Sequence, residues 1–475
     1  MTATTDGSPG TPTHGTPSAS STSEPDPVPS GGAEAAAQRA VQRAADHLLA
    51  RQSPEGWWKG DLETNVTMDA EDLMLRQFLG ISDAEVTAAS ARWIRSQQRE
   101  DGAWPTFHGG PGDVSATVEA YVALRLAGDS PDEAHMQLAA KWARAEGGVV
   151  ASRVFTRIWL ALFGWWSWDD LPELPPEIIY LPKWMPLNIY SFGCWARQTI
   201  VPLTVVGAHR PVRPAPFGID ELHVNPAAPN PKRRKAPITT WDGVFQRVDQ
   251  LLHVYRRFTP RQVRRTAMNA CARWIIERQE ADGCWGGIQP PAVYSVIALH
   301  LLGYDLDHPV LRAGLESLDR FAVWPEDGVR MIEACQSPVW DTCLATIALA
   351  DAGVPADHPA LVKAAEWMLD EQITRPGDWS VQRPQLAPGG WPSSSTTTTT
   401  RTSTTPPRSC WRCAGWSTPT RPGWTPRSTA RCAGTSGCSR RTAPGAPSTP
   451  TTPARSPTGC RSATSARSST LRRPT

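Results

Sequence analysis

Gln98-Arg-Glu-Asp-Gly102-Ala-Trp104 decides the fold, because the chain writes this string four times. The other copies are Gln52-Ser-Pro-Glu-Gly56-Trp57-Trp58, Gln279-Glu-Ala-Asp-Gly283-Cys-Trp285 and Gln372-Ile-Thr-Arg-Pro-Gly377-Asp-Trp379. The last carries one extra residue before its glycine. Each follows an apolar run with helical spacing, such as Ala45, Leu48 and Leu49, or Trp274, Ile275 and Ile276. In the clearest cases a second helical run follows within about twenty residues, over 116–126 and 293–302. The unit is helix, glycine turn, helix, since glycine permits the positive φ that ends a helix. Stacked helical hairpins form an open solenoid or a closed α–α barrel, and the repeat period fits both. Gln52, Trp58, Gln98, Trp104, Gln279, Trp285, Gln372 and Trp379 read as ties between helices, outside the chemistry.

Outward from the repeats, three compositions meet in 475 residues. Residues 1–34 are Thr, Ser, Gly and Pro with scattered acids and read as a disordered leader without a secretion signal. Residues 35–391 are rich in Ala, Leu, Trp and both signs of charge. From Pro392 onward there is no Asp, Glu, Lys, Ile, Val, Phe or Tyr. Such a stretch cannot bury enough apolar area to offset backbone ordering at about 1–2 kcal/mol per residue. Disorder is expected there.

The formal charge of +2 is no pointer to nucleic acid. The tail holds arginines without acids, so the folded part is acidic, and its only basic run is Lys232-Arg233-Arg234-Lys235. No run of about 18 apolar residues is present, which excludes a transmembrane helix. Five of ten cysteines are scattered through the folded part and five lie in the tail, the pattern of reduced thiols.

The repeat, with six longer strings, resembles the squalene–hopene cyclases of bacteria and, more distantly, the oxidosqualene cyclases. The strings are Asn65-Val-Thr-Met-Asp-Ala-Glu71, Ser152-Arg-Val-Phe-Thr-Arg157, Pro186-Leu-Asn-Ile-Tyr-Ser-Phe-Gly-Cys-Trp-Ala-Arg197, Gly286-Gly-Ile-Gln-Pro-Pro291, Ser337-Pro-Val-Trp-Asp-Thr342 and Pro388-Gly-Gly-Trp391. They cover roughly residues 38–391 in family order. The resemblance implies an all-α fold of two α–α barrels (toroids) around an apolar cavity. Residues 35–335 would form one barrel with a preceding helix, 336–391 would begin the catalytic second barrel, and that barrel would be incomplete.

The family's acid motif, Asp-x-Asp-Asp-Thr-Ala, should follow the Gly-Gly-aromatic string, and its middle aspartate donates the initiating proton. This chain has Thr402-Ser403-Thr404-Thr405-Pro406-Pro407 instead. The genetic code gives a reason. Loss of one nucleotide near the Trp391/Pro392 boundary makes the first two bases of each written codon the last two of the true one. A Thr codon then restores to Asp, Asn, His or Tyr, and a Pro codon to Thr, Ala, Ser or Pro. Residues 392–411 restore to Ala-Phe-Glu-Phe-His-Asn-Asp-Asn-Tyr-Pro-Asp-Ile-Asp-Asp-Thr-Ala-Glu-Val-Val-Leu, and residues 439–445 to a further repeat. Residues 392–475 are thus expected to be out of frame, with Thr404 at the donor position and Thr402 and Thr405 flanking it. Cys410, Cys413, Cys432 and Cys438 superficially suggest zinc, but no packed element is expected around them.

By resemblance, Asp341 neighbours the acid site, although an aspartate there also suits a helix terminus. Trp195 and Trp340, with Phe155, match positions that face the migrating cation, a role suited to aromatic rings at about 2 kcal/mol or more per desolvated contact. Gln289, Pro290, Glu71, Glu119 and Arg153 match the polar network that orients the terminating water. Val244, Val248, Leu251, Leu252 and Tyr255 share one face of a helix that borders a lipid-facing entrance or packs as an ordinary amphipathic helix. The substrate implied is squalene or a related polyprene, cyclised to hopene or hopanol without cofactor or metal. The implied place is the cytoplasmic face of the cell membrane, held peripherally, and a homodimer is admitted. Two rivals fit the repeats: a toroid like the prenyltransferase β-subunit, which needs Asp, Cys and His zinc ligands, and a non-catalytic helical scaffold.

Overall fold

The computed structural model describes residues 30–225, 236–325 and 328–392. Thirteen α-helices appear among them: α1 (Ser30–Ala50), α2 (Thr67–Leu79), α3 (Ala84–Ser96), α4 (Val114–Ala127), α5 (Ala134–Ala145), α6 (Val154–Leu162) and α7 (Cys194–His209), then α8 (Trp241–Phe258), α9 (Arg261–Ile276), α10 (Gln289–Leu301), α11 (Pro309–Arg320), α12 (Pro338–Asp351) and α13 (Pro359–Asp370). The only sheet among the described residues is the pair of two-residue strands β1 (Ala322–Val323) and β2 (Met331–Ile332), antiparallel. The fold is all-α, as the sequence implied. Helix α1 begins at Ser30, inside the stretch assigned to the leader; the alanines that follow favour helix strongly enough to carry it outward.

Burial separates two rings of helices. In α4 every residue from Ser115 to Leu124 is buried, and in α10 every residue from Pro291 to Leu299. A helix buried all round belongs inside. By contrast α3 and α11 bury only four residues each, on one face. The inner helices close on one another: α2 packs on α4, α6 and α10, α4 packs on α6, and α7 packs on α10. The outer helices α3, α5, α9 and α11 back onto them. One continuous apolar core fills the ring.

The repeats tie the outer helices in series. Gln98 Nε2 donates to Gly102 O at 2.9 Å and to His135 O, in the first turn of α5, at 2.9 Å. Gln279 does the same to Gly283 O and to Val310 O of α11, at 2.9 and 2.7 Å. The indoles of Trp104 and Trp285 donate back to Ile94 O and Ile275 O, at 2.7 and 2.8 Å. Those carbonyls lie in the last turns of α3 and α9, where each also accepts a short-range backbone N–H, from Gln97 at 3.2 Å and Arg278 at 3.1 Å. The glycine is obligatory for two reasons. Gly102 and Gly283 have φ +91 and +84, and a Cβ on either would sit within 2.6 Å of the backbone of the next outer helix.

The first repeat departs from its place in the chain. Gln52 Nε2 reaches Ala360 O of α13 at 2.8 Å, and the Trp58 backbone N–H donates to Thr342 Oγ1 of α12 at 2.9 Å. Ala45 and Trp58 share a separate small core with Ala345, Leu349, Leu361 and Ala364. The helix expected to precede the first barrel therefore packs with the segment after residue 336.

The fourth repeat needs a correction. Its tryptophan is Trp391, not Trp379: Trp391 Nε1 donates to Met368 O at 2.5 Å, and Gln372 Nε2 donates to Gly389 O at 2.9 Å. The glutamine-to-glycine separation is 17 residues against 4 in the other copies, so thirteen residues are inserted within the turn. The Gly377-Asp-Trp379 string imitates the repeat inside that insertion. Spacing alone led to the wrong tryptophan.

Candidate active site

Three of the polar candidates converge on one place. Glu71 stands in α2, Glu119 in α4, and Arg153 immediately precedes α6. Arg153 Nη2 lies 3.1 Å from Glu119 Oε2 and 4.0 Å from Glu71 Oε1. Glu119 also accepts from the Thr156 hydroxyl. Both carboxyls are buried. Burial, and then the charge of Glu119, push Glu71 up to about 8. Burial likewise raises Glu119, against the opposing pull of Arg153 and Thr156. With one guanidinium between two carboxyls, a protonated Glu71 leaves a balanced pair and spares a second buried charge.

Beside this group the aromatic rings of Phe155, Trp159 and Tyr294 meet. Tyr294 lies 6.3 Å from Phe155 and 6.0 Å from Trp159, centroid to centroid. Burial and the two glutamates raise the Tyr294 hydroxyl well above its ordinary value, so it stays protonated. Gln289 opens α10, with Pro290 behind it in the first turn, and is anchored by its backbone N–H to Ala334 O at 2.9 Å. Its side-chain amide is fully buried, yet neither polar atom has a hydrogen-bond partner among the described residues. A buried amide of that kind is a binding group for water or a polar ligand atom.

The three cation-facing candidates differ from the repeat tryptophans. Trp195 is 59 % exposed, Trp340 40 % and Phe155 38 %, whereas Trp104 and Trp285 are at most 1 % exposed. The buried set serves packing; the open set is available to a ligand. Trp195 stands at the start of α7 and Trp340 at the start of α12. Phe155 also lines an apolar cavity of about 260 Å³ between α6 and α7, with Ile158, Leu171, Leu174, Ile200 and Leu203. Asp341 lies in the first turn of α12, where Oδ2 accepts from the Gly60 N–H at 3.0 Å and Oδ1 from the Ser337 hydroxyl at 3.2 Å. Its carboxylate therefore serves the helix terminus and ties it to the chain after the first repeat. Thr402, Thr404 and Thr405, like all of residues 393–475 and the cysteines there, lie outside the described residues.

Sequence reasoning missed Thr156, Trp159 and Tyr294. Trp159 had a usable signal, since it lies four residues from Phe155 and shares its helix face. Tyr294 had none, because its neighbours come from other helices. Among the described residues, Asp129, Glu133 and His135 form one grouping with metal-ligand spacing. Arg95 already occupies Asp129, at 2.5 and 2.8 Å.

Residues 41–327 match the squalene–hopene cyclase N-terminal domain, and residues 336–397 match the squalene–hopene cyclase C-terminal domain. The squalene–hopene cyclase of Alicyclobacillus acidocaldarius is 46% identical over 355 residues, covering 74% of this chain and 56% of that protein. That of Zymomonas mobilis is 37% identical, covering 74% and 54%, and the dammaradiene synthase of Dryopteris crassirhizoma is 37% identical, covering 71% and 49%. The chain spans about half the length of these curated relatives. With its helical rings, its repeats and both domain matches in order, the chain belongs to the squalene–hopene cyclase family.

Proposed function

We propose that this chain carries the polyprene-binding and terminating parts of a proton-initiated triterpene cyclase, and that it does not cyclise squalene as written. The observation that carries the reading is the buried Glu71, Arg153 and Glu119 group next to the Phe155, Trp159 and Tyr294 rings, with the unpaired Gln289 amide. In the proposed reaction an acid protonates the terminal alkene, giving a tertiary cation. Successive alkenes attack it and close rings while Trp195, Trp340 and Phe155 face the charge. Loss of a proton then gives hopene, and capture of water gives hopanol. Gln289 and the glutamate group would orient that water, and preorganised walls would supply the folded shape of the chain. No cofactor enters this scheme. Initiation requires a carboxylic acid, and the hydroxyls at Thr402, Thr404 and Thr405 are too weak to protonate an alkene.

Helix α8 supports attachment to a membrane surface. Of its eighteen residues only Gly243 is buried, while Trp241, Phe245, Val248, Leu251, Val254, Tyr255 and Phe258 are exposed. An exposed apolar face of that size is an interaction surface. Its polar side is tied to the cavity edge, where Glu173 pairs with Arg256 at 3.3 Å and with Arg210 at 2.9 Å. No helix among the described residues is long and apolar enough to cross a membrane. We place the chain peripherally at the cytoplasmic face, where squalene is met, with 35–335 and 336–391 as its two barrel segments and a homodimer as an admissible assembly.

The test is direct. Purified chain incubated with squalene should yield neither hopene nor hopanol, and restoring one nucleotide near the Trp391 codon should yield both domains and product. Product from the unrepaired chain overturns the inactivity; a repaired, folded protein that binds no squalene overturns the cyclase reading.

A further inference from the structure

The thirteen residues inserted in the fourth repeat do not simply loop into solvent. They reach α7 and the end of α9 and carry Asp378 into a charge cluster there. Asp378, with a side chain only 2 % exposed, accepts from two arginines at once. Arg197 of α7 reaches Oδ2 through Nε at 2.7 Å and Nη2 at 2.5 Å. Arg278, just beyond α9, reaches Oδ1 through Nη2 at 2.9 Å. Arg278 Nη2 also donates to the Tyr190 hydroxyl at 2.9 Å, and Arg197 Nη1 donates to Phe192 O at 2.9 Å. Two further contacts pin the insertion, Lys183 Nζ to Val381 O at 2.8 Å and Gln382 Nε2 to Tyr190 O.

We propose that this insertion is a strap between the two barrel segments, and that Asp378 is the positioning residue that holds the Tyr190-to-Arg197 wall, and with it Trp195, in place. Trp195 lies along the chain between the two anchors, the Phe192 carbonyl and the Arg197 guanidinium, and its ring is exposed. Among the described residues Glu277 pairs with Arg278 alone, at 3.6 Å, while Asp378 is the carboxylate that pairs with both Arg197 and Arg278. Removing it leaves two guanidinium groups facing each other in a closed site, a costly arrangement whose simplest relief is for the wall to open. The part of this proposal that concerns ligand binding rests on the cyclase reading of Trp195; the strap itself does not.

The experiment uses the full chain and the variants D378A, D378N, D378E and W195A. Amide hydrogen exchange of residues 188–197 should quicken about a hundredfold in D378A and D378N, while α2 and α4 exchange as before. D378E, which keeps the charge, should recover most of the protection. Binding of a squalene analogue bearing a protonated tertiary amine should weaken about tenfold in D378N and at least as much in W195A. Should D378A fail to fold, the isosteric D378N gives the same reading. Unchanged exchange over 188–197, with only a lower Tm, overturns the strap. If W195A binds the amine as the parent does, the cyclase reading of Trp195 falls, while the exchange result still judges the strap.

Discussion

Arg153 donates through one nitrogen, Nη2, to both carboxylate oxygens of Glu119, at 3.2 and 3.1 Å. Glu71 is left at 4.0 Å from the same atom, within the guanidinium's field but without a hydrogen bond from it. One cation thus serves two buried acids unequally, and the more distant acid holds its proton to about pH 8.

This arrangement fixes a pH dependence. A glutamate in the unfolded chain titrates near its ordinary value of 4.5, whereas folded Glu71 titrates near 8. Between those values the folded state holds a proton that the unfolded chain has released, so stability falls as pH rises through that window. Glu71→Gln, which mimics the protonated acid, should flatten the fall. Urea midpoints at pH 5, 7 and 9 check it; Glu119, raised in the same direction, keeps part of the slope. A variant whose midpoint falls as steeply as the parent's contradicts the assignment.

The corrected fourth repeat makes a second prediction. Trp391→Phe loses the indole hydrogen bond to Met368 O, and should destabilise α13 by about 1 kcal/mol. Trp379→Phe, inside the insertion, should cost clearly less. Chemical denaturation of the two variants side by side decides which tryptophan belongs to the repeat.

Helix α8 gives the third. Placing aspartate at Leu251 and Phe258 removes two exposed apolar side chains, each worth about 1.5–3 kcal/mol when buried in lipid. Sedimentation with phosphatidylcholine vesicles should fall by at least tenfold for the double variant. Its Tm should stay close to the parent's, because neither side chain is packed in the core. Equal sedimentation would remove α8 from the membrane surface.

Much of this protein was legible in the chain because its repeats act locally. A glutamine, a glycine four residues on and a tryptophan two beyond that dictate a turn whose hydrogen bonds close on the same helix and the next. Three of the four copies read correctly for that reason. The fourth misled because Gly377 and Trp379 nearly reproduce the spacing, while the partners that make the hydrogen bonds, Gly389 and Trp391, lie twelve residues further along. The residues of the candidate site were named from the family strings, not from spacing, since Glu71, Glu119, Arg153 and Gln289 are far apart in the chain.

The sequence by itself determined the all-α class and the helical hairpin, which follow from short-range pattern, and its family strings, read in order, nominated the residues proposed for the site. Tertiary structure alone decided that α1 packs beside α12 and α13, that Trp159 and Tyr294 complete the aromatic wall, and that Asp378 bridges Arg197 and Arg278. Those are contacts between residues up to roughly 300 positions apart. Local propensity carries no information about such pairings; only burial of the helices against one another brings them within bonding distance.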